Sequence, residues 1–158
     1  MSELDVMYWV IVSSVANWEK TSSLGFTIQG IKSRHRKKAG QMRPGDKIVY
    51  YCTGVKAFAG ISTITSTCFE SDELIWASSN PKRSGEEYPF RVRIEGDLAL
   101  DTDDFVPAEP LARQMEYAKK WPAEHWTLAF QGNVHQIPES DYRLIRSAIE
   151  AVAVAPPV

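Results

Sequence analysis

The sequence predicts an α+β fold in one domain, a small β-barrel flanked by short helices. The chain has 158 residues, a usual length for a single domain. Runs of aromatic and β-branched residues, which are typical of strands, are interspersed with short helical patterns. Neither an internal repeat nor a linker divides the chain. Strands and short helices mixed in this way indicate one core that a sheet and its helices share.

The first half of the chain begins with a continuous apolar run at residues 7–13 (MYWVIVS), which predicts a buried strand. A second strand is predicted at residues 47–52 (KIVYYC), directly after the turn sequence RPGD. The other elements predicted in this half are a short helix at 14–24, a loop or short strand at 25–31, a helix at 32–41, and a strand at 57–68 with a bulge at Gly60.

The second half of the sequence indicates a polar loop at residues 78–87 and then a strand at 89–95 with one buried and one solvent-exposed face. The buried positions are Phe90, Val92 and Ile94, and the solvent-exposed ones are Arg91, Arg93 and Glu95. An acidic, solvated stretch at 95–109 precedes a helix at 110–121 and a short strand within 128–137. A terminal helix is expected to begin with Ser140 as its N-cap and to bury Tyr142, Ile145 and Ile149. Residues 151–158 are expected to form a disordered tail.

The composition excludes several classes of protein. A net charge of −2 argues against a histone-like protein coated in positive charge, so any contact with nucleic acid must come from a local patch. The two cysteines, Cys52 and Cys68, form no metal or redox motif and are expected to be reduced, as in the cytoplasm. The first residues resemble no signal peptide, and no apolar run is long enough to cross a membrane.

Few residues indicate catalysis or a metal site. The three histidines, at positions 35, 125 and 135, share no short spacing of the kind that metal ligands have. A Ser33 or Cys52 nucleophile with His35 as its base lacks a third group to orient the base. No phosphate-binding loop or nucleophile motif occurs. We therefore expect a binding protein, with no catalytic residue, metal or cofactor.

The most distinctive charge feature is residues 32–43 (KSRHRKKAGQMR), here called the basic segment. It holds six of the eighteen Lys and Arg side chains and no acidic one. Such a segment attached to a β core is typical of anion binding, above all to a phosphate backbone. A run of charges also forms an ordinary solvated helix face. The phosphate ligands predicted on it are Lys32, Arg34, Arg36 and Lys37.

Several aromatic residues lie outside the strand patterns. Phe26 precedes the basic segment, Trp76 and Tyr88 flank the polar loop, and Trp121 and Trp126 flank a proline. Each ring on its own could fill a gap in the core. As a set beside a basic segment, they favour a pocket that stacks on a planar group, where each stacked base gains about 1–3 kcal/mol.

Five stretches of this chain resemble the EVE domain family, in the same order from about residue 7 to residue 149. They are MYWVIVSSVANW, the basic segment with RPGDKIVYY, AFAGISTITS, EEYPFRVRIE and HWTLAFQGNVHQIPESDYRLIRSAI. The resemblance implies a PUA-like fold, a small curved β-barrel flanked by short helices, over residues 1–150. It also implies kinship with YTH domains, which recognise methylated adenine in RNA. The family is regarded as readers of modified bases, sometimes linked to restriction nucleases.

The resemblance also implies a set of pocket residues. Phe26 corresponds to a cage tryptophan of YTH-like proteins, while Trp76 and Tyr88 would supply the other walls. Polar contacts would come from the start of the basic segment and from the end of the strand that follows it. The complete predicted base pocket is Phe26, Ser33, Arg34, Tyr51, Thr53, Trp76 and Tyr88.

The resulting hypothesis is a non-catalytic module that binds DNA or RNA and takes a modified, methylated base out of the stack into an aromatic pocket. Phosphates would lie on the basic segment. Two alternatives stay open at this point. Arg34, His35 and Arg36 could hold a small anionic metabolite, or the chain could be a PUA-like nuclease that depends on Lys32, Arg34 or His35.

Overall fold

The two most hydrophobic runs of the sequence lie side by side at the centre of the sheet. In the computed structural model, which describes residues 6–77 and 88–153, β1 (Tyr8–Ser13) pairs in parallel with β3 (Lys47–Cys52). A parallel pair needs a crossover of a dozen or more residues. Here the crossover contains α1 (Val15–Ser23), β2 (Ile28–Ile31) and α2 (Arg36–Gln41). The basic segment is therefore part of the crossover.

The described residues form one curled sheet of eight strands. Its order is β2-β6-β4-β3-β1-β8, with β5 against β6 and β7 against β4, and every pairing except β1 with β3 is antiparallel. The later strands are β4 (Ala57–Ile64), β5 (Phe69–Glu70), β6 (Phe90–Ala99), β7 (Val106–Pro107) and β8 (Val134–Ile137). This is the α+β fold, a small curved barrel flanked by short helices, that was predicted.

Besides α1 and α2, the described residues form further short helices and one long one. The short ones are α3 (Glu109–Ala112) and four 3-10 helices at Ser33–His35, Thr102–Asp104, Tyr117–Lys120 and Ala123–Phe130, and the long one is the terminal helix α4 (Glu139–Ala153). No helix of the described residues combines the length and the apolar character that a membrane span requires. The predicted polar loop at 78–87 and residues 154–158 of the predicted tail lie outside the described residues, while residues 151–153 belong to α4.

The central strands bury both of their faces, which explains their unbroken hydrophobic runs. Alternate residues of β1 and β3 belong to two separate core clusters. Val10 and Val49 pack into the cluster that includes Ile145 and Ile149 of α4. The residues that alternate with these along the strands, such as Ile11 and Ile48, point to the other face of the sheet. They pack with Trp18 of α1 and with Ala39 and Met42 of the basic segment. The apolar residues of the basic segment thus attach it to the barrel, and its charges remain outside.

The RPGD turn is held by a buried carboxylate. Asp46 is 1% exposed and accepts hydrogen bonds from the backbone N–H groups of Met7 (3.0 Å) and Arg43 (3.1 Å) and from the indole N–H of Trp9 (3.1 Å). A buried carboxylate is tolerated when its oxygens are hydrogen-bonded in this way. The contacts connect the start of β1 to the start of β3. The motif that is most specific to the family resemblance therefore has a structural role in this chain.

The bulge predicted near Gly60 is confirmed. Tyr50 of β3 faces Gly60, but Tyr51 faces Phe58, so β4 carries one extra residue at this point. Such a bulge bends the strand and raises its twist, as a curled sheet requires. The stripe of Tyr142, Ile145 and Ile149 on the terminal helix is buried as expected.

Other predictions were wrong in detail. Arg91 is buried, not wet, because it finds hydrogen-bond acceptors in residues 71–73 and in the backbone of Tyr88. The terminal helix begins at Glu139, so Ser140 lies inside it and is not its N-cap. The helix expected at 110–121 is two short pieces. The strand from residue 57 ends at Ile64, which leaves Cys68 outside a strand and only partly buried.

Candidate functional site

A cleft of about 680 Å³ opens where β1 and β3 end next to each other. Its walls come from the ends of these strands, the beginning of α1, the beginning of the basic segment and the 3-10 helix Ala123–Phe130 with the turn after it. Parallel strands bring their carboxyl ends to the same edge of a sheet, a common location for binding sites. The volume lies in the range of pockets that hold small molecules or single groups of larger ones.

One wall of the cleft is a stack of aromatic rings. The rings of Tyr51 and Phe130 lie 4.4 Å apart at an angle of 15°, and Phe58 and Trp126 pack against them edge-on. Burial, with Cys52 as a lesser cause, raises the pKa of Tyr51 to about 12. Its hydroxyl thus keeps its proton at neutral pH. That hydroxyl makes no hydrogen bond to any residue that the structure describes, so it can donate one to a ligand.

Tyr88 contributes a second aromatic wall, which the start of α1 positions. Asn17 donates hydrogen bonds through its side-chain amide to the carbonyl of Ala77 (2.7 Å) and to the hydroxyl of Tyr88 (3.3 Å), and its side-chain oxygen accepts from the Ala77 N–H (3.1 Å). Ser14 caps α1 by accepting from the Asn17 backbone N–H (3.0 Å). The Lys32 ammonium lies 5.7 Å from the centre of the Tyr88 ring, within cation–π range.

Three cations, Lys32, Arg34 and Lys56, line the cleft, and the described residues that line it include no carboxylate. Asn133 determines where the first two lie. It is 2% exposed, accepts a hydrogen bond from the Lys32 backbone N–H (3.0 Å) and donates one to the Val12 carbonyl (3.1 Å). Its backbone N–H also donates to Nε2 of His35 (3.4 Å). Asn133 thus joins the start of the basic segment to β1, so that the cations face the end of that strand.

The structure brings together only part of the predicted residue set. Lys32, Arg34, Tyr51, Thr53 and Tyr88 line the cleft. Four residues in or beside the cleft were not predicted from the sequence: Asn17, Lys56, Phe130 and Asn133. Of these, only Lys56 and Asn133 had a local signal in the sequence: a cation at the end of the TGVK turn and an Asn directly after a glycine.

Phe26 and Trp76, the other two predicted rings, lie outside the cleft. Phe26 packs with its ring centre 5.0 Å from that of Trp18 and close against Gly96. Trp76 is 5% exposed, and its indole N–H donates to the hydroxyl of Thr21 at 2.9 Å. The guanidinium of Arg91 lies 5.2 Å from its ring.

Three of the remaining predicted residues are on the surface, and the last two rings pack against the core. Ser33 is exposed and does not line the cleft, and Arg36 and Lys37 are exposed on α2. Trp121 and Trp126 are partly buried against the core cluster that includes Ile145 and Ile149, and Trp126 also packs on the rings of Tyr51 and Phe130. Among residues 6–77 and 88–153 no three His, Cys, Asp or Glu side chains are grouped so that they could hold a metal ion.

Solved structures with this fold include two complexes with modified nucleic acid. One is the YTH domain of the Zygosaccharomyces rouxii MRB1 protein in complex with N6-methyladenosine RNA, which is 16% identical with a TM-score of 0.63 over 96% of this chain and 90% of that one. The other is human THYN1 in complex with DNA containing 5-methylcytosine, at 13% identity and a TM-score of 0.58 over 95% of this chain and 99% of that one. At such low identity the likeness shows the fold alone.

A relative identified by sequence and a family model place the chain in a family. The UPF0310 protein PH1033 of Pyrococcus horikoshii is 27% identical over 153 residues, which cover 90% of this chain and 98% of the relative. The family model described as "EVE domain" matches residues 7–148, nearly the whole length. The matched region includes β1 and β3, whose ends line the cleft, the basic segment and the first ten residues of the terminal helix. This chain therefore belongs to the EVE domain family.

Proposed function

We propose that this protein is a non-catalytic module that binds nucleic acid and takes a modified base, in particular a methylated one, into the cleft at the ends of β1 and β3. The observation that carries the proposal is the lining of this cleft. Aromatic rings and three cations share one space, and the described lining contains no carboxylate that would repel a phosphate. Aromatic rings beside cations are the combination by which proteins hold unstacked bases and their backbone.

The cleft offers separate partners for the parts of a nucleotide. Lys32, Arg34 and Lys56 are the candidates for phosphate contacts. Tyr51 presents a protonated hydroxyl that can donate to the edge of a base, and Thr53 adds a second hydroxyl beside it. The rings of Phe130 and Tyr88 supply apolar surface that a methyl group can contact, a gain on the order of 1 kcal/mol.

The comparisons support the modified base in particular. Both complexes named above hold a methylated base, adenine in one and cytosine in the other, and both share this fold. We therefore include both bases, in DNA and in RNA, among the ligands to be tested. A functional link to a restriction nuclease stays a prediction from the family resemblance.

The test is binding to a panel of DNA and RNA oligonucleotides with and without methylated cytosine or adenine, at two salt concentrations. One modified oligonucleotide should bind more tightly than its unmodified twin. Tyr51→Phe, which removes only the hydroxyl, should weaken that complex by about 1 kcal/mol, or roughly fivefold. Tyr142→Phe is the matched control, because the hydroxyl of Tyr142 bonds to Arg146 on α4 and does not line the cleft.

Two results would contradict the proposal. Equal, weak binding to every oligonucleotide would point to a small anionic metabolite in the cleft, the alternative that the same three cations allow. Cleavage of an oligonucleotide during the incubation, read on a denaturing gel, would show a nuclease in place of a reader.

A further inference from the structure

A short hairpin carries an apolar side chain to the rim of the cleft. Residues 53–56 connect β3 to β4, and the first and last of them, Thr53 and Lys56, both line the cleft. Between them lies Val55, which is 55% exposed. Few of the large apolar side chains that the structure describes are more than a third exposed. An exposed apolar residue alone is ordinary. This one lies next to a binding cleft, between a hydroxyl and a cation that face into it.

The hairpin is fixed at its base, so the tip is held in place. The Thr53 N–H donates to the Ser13 carbonyl at 2.9 Å, and the Ala108 N–H donates to the Lys56 carbonyl at 3.0 Å. Lys56 has a φ of +52°, a left-handed conformation that a residue with a side chain rarely adopts. Conformations of this kind persist where surrounding contacts enforce them, and they are concentrated at binding and active sites.

We propose that Val55 is an apolar wedge that enters the base stack of a duplex when the modified base moves into the cleft. This rests on the proposed function and narrows it: the target is a base in double-stranded nucleic acid. Removing one base from a duplex leaves a gap between its neighbours, and proteins that open base steps insert apolar side chains there. A β-branched valine suits the task because its side chain has little rotamer freedom to lose.

The charges around the tip fit the same role. Lys56 follows Val55 directly, and Lys32 and Arg34 lie in the same cleft, so the phosphates that flank an opened step would meet cations. The hairpin residues 53–56 contain no acidic side chain. In a single strand no stack encloses the tip, so Val55 would contribute little to binding.

The experiment compares Val55→Ser, Val55→Leu and the matched control Val152→Ser on one modified oligonucleotide, as a duplex and as a single strand. Val152 is another exposed valine, but it lies on α4 and does not line the cleft. Val55→Ser should weaken duplex binding about tenfold and single-strand binding less than twofold, since it loses the apolar contact of one side chain. Val55→Leu should keep the wild-type preference, and Val152→Ser should change neither affinity.

A second readout reports the stack directly. The fluorescence of 2-aminopurine placed beside the modified base increases when that base leaves the helix. This increase should be smaller with Val55→Ser than with the wild type. Duplex binding by Val55→Ser that equals the wild type, or an equal loss for duplex and single strand, would overturn the wedge while the cleft proposal stands. A wild-type protein that prefers no modified oligonucleotide would overturn the proposed function and the wedge with it.

Discussion

The salt dependence of binding can be worked out from the cations that the structure places at the cleft. Each phosphate that a cation neutralises releases counter-ions, so the logarithm of the association constant falls with the logarithm of the salt concentration by about 0.9 per contact on duplex DNA. Lys32, Arg34 and Lys56 line the cleft. If only these three meet phosphates, the slope is about −2.7, and affinity falls roughly 40-fold between 50 and 200 mM salt.

Two further cations of the basic segment would make the salt dependence steeper if they also contact phosphates. Arg36 and Lys37 are exposed on α2, next to Arg34 in sequence but outside the cleft lining. With these two as further contacts the slope becomes about −4.5, a loss of roughly 500-fold over the same range. The double variant Arg36→Gln/Lys37→Gln separates the two cases. If both residues bind phosphate, the wild-type slope is about −4.5 and the slope of the variant is about −2.7. If neither does, wild type and variant share a slope of about −2.7.

The assay is fluorescence anisotropy with one duplex at four or five salt concentrations. The control Lys20→Gln/Lys119→Gln removes the same charge from two exposed lysines that do not line the cleft, and should leave the slope unchanged. A wild-type slope shallower than about −1, with measurable affinity, would refute contact with several phosphates. It would instead favour a small anion, whose enclosed charge is screened less.

Three further predictions concern stability. Gly30→Ala should lower the free energy of unfolding in urea by about 1–3 kcal/mol, because an added Cβ would press into the Trp76 ring and lie within 3.0 Å of the Cβ of Tyr88. Asp46→Ala should cost about 3 kcal/mol in the same assay, since it leaves three buried or partly buried N–H donors without an acceptor. Burial raises the pKa of the Cys52 thiol from 9.0 to about 12, so the folded state keeps this proton up to a higher pH than the unfolded chain does. The melting temperature should therefore fall as pH rises from 9 to 12, and less steeply in Cys52→Ala.

The central fold could be predicted because its signals are local. The runs at residues 7–13 and 47–52 are hydrophobic without interruption, and they form β1 and β3 at almost the predicted bounds. Arg91 shows where local reasoning fails. Strand alternation places it on the solvent-exposed face, but Ser71 and Glu73, some twenty residues away, supply hydrogen-bond acceptors and cover that face. No pattern within the strand carries this information.

The cleft was predicted in part for the same reason. Tyr51 and Thr53 follow from the strand that precedes them, and Lys32 and Arg34 from the basic segment. Phe130 could not be found, because its role depends on a stacking partner 79 positions earlier in the chain, Tyr51.

The parts of the sequence that resemble the family most strongly specify the barrel more than its ligand. In RPGDKIVYY, Asp46 connects the starts of two strands, and only Tyr51 at the end of the motif reaches the cleft. Trp76, a ring that sequence alone assigns to a base cage, instead anchors residues 71–77 to α1 and β2. The cleft is completed by Lys56, Gln131 and Gly132, which lie in loops outside the strands of the barrel. If the protein takes a base into the cleft as proposed, we expect the choice of base to depend on these loop positions and on the Tyr51 hydroxyl.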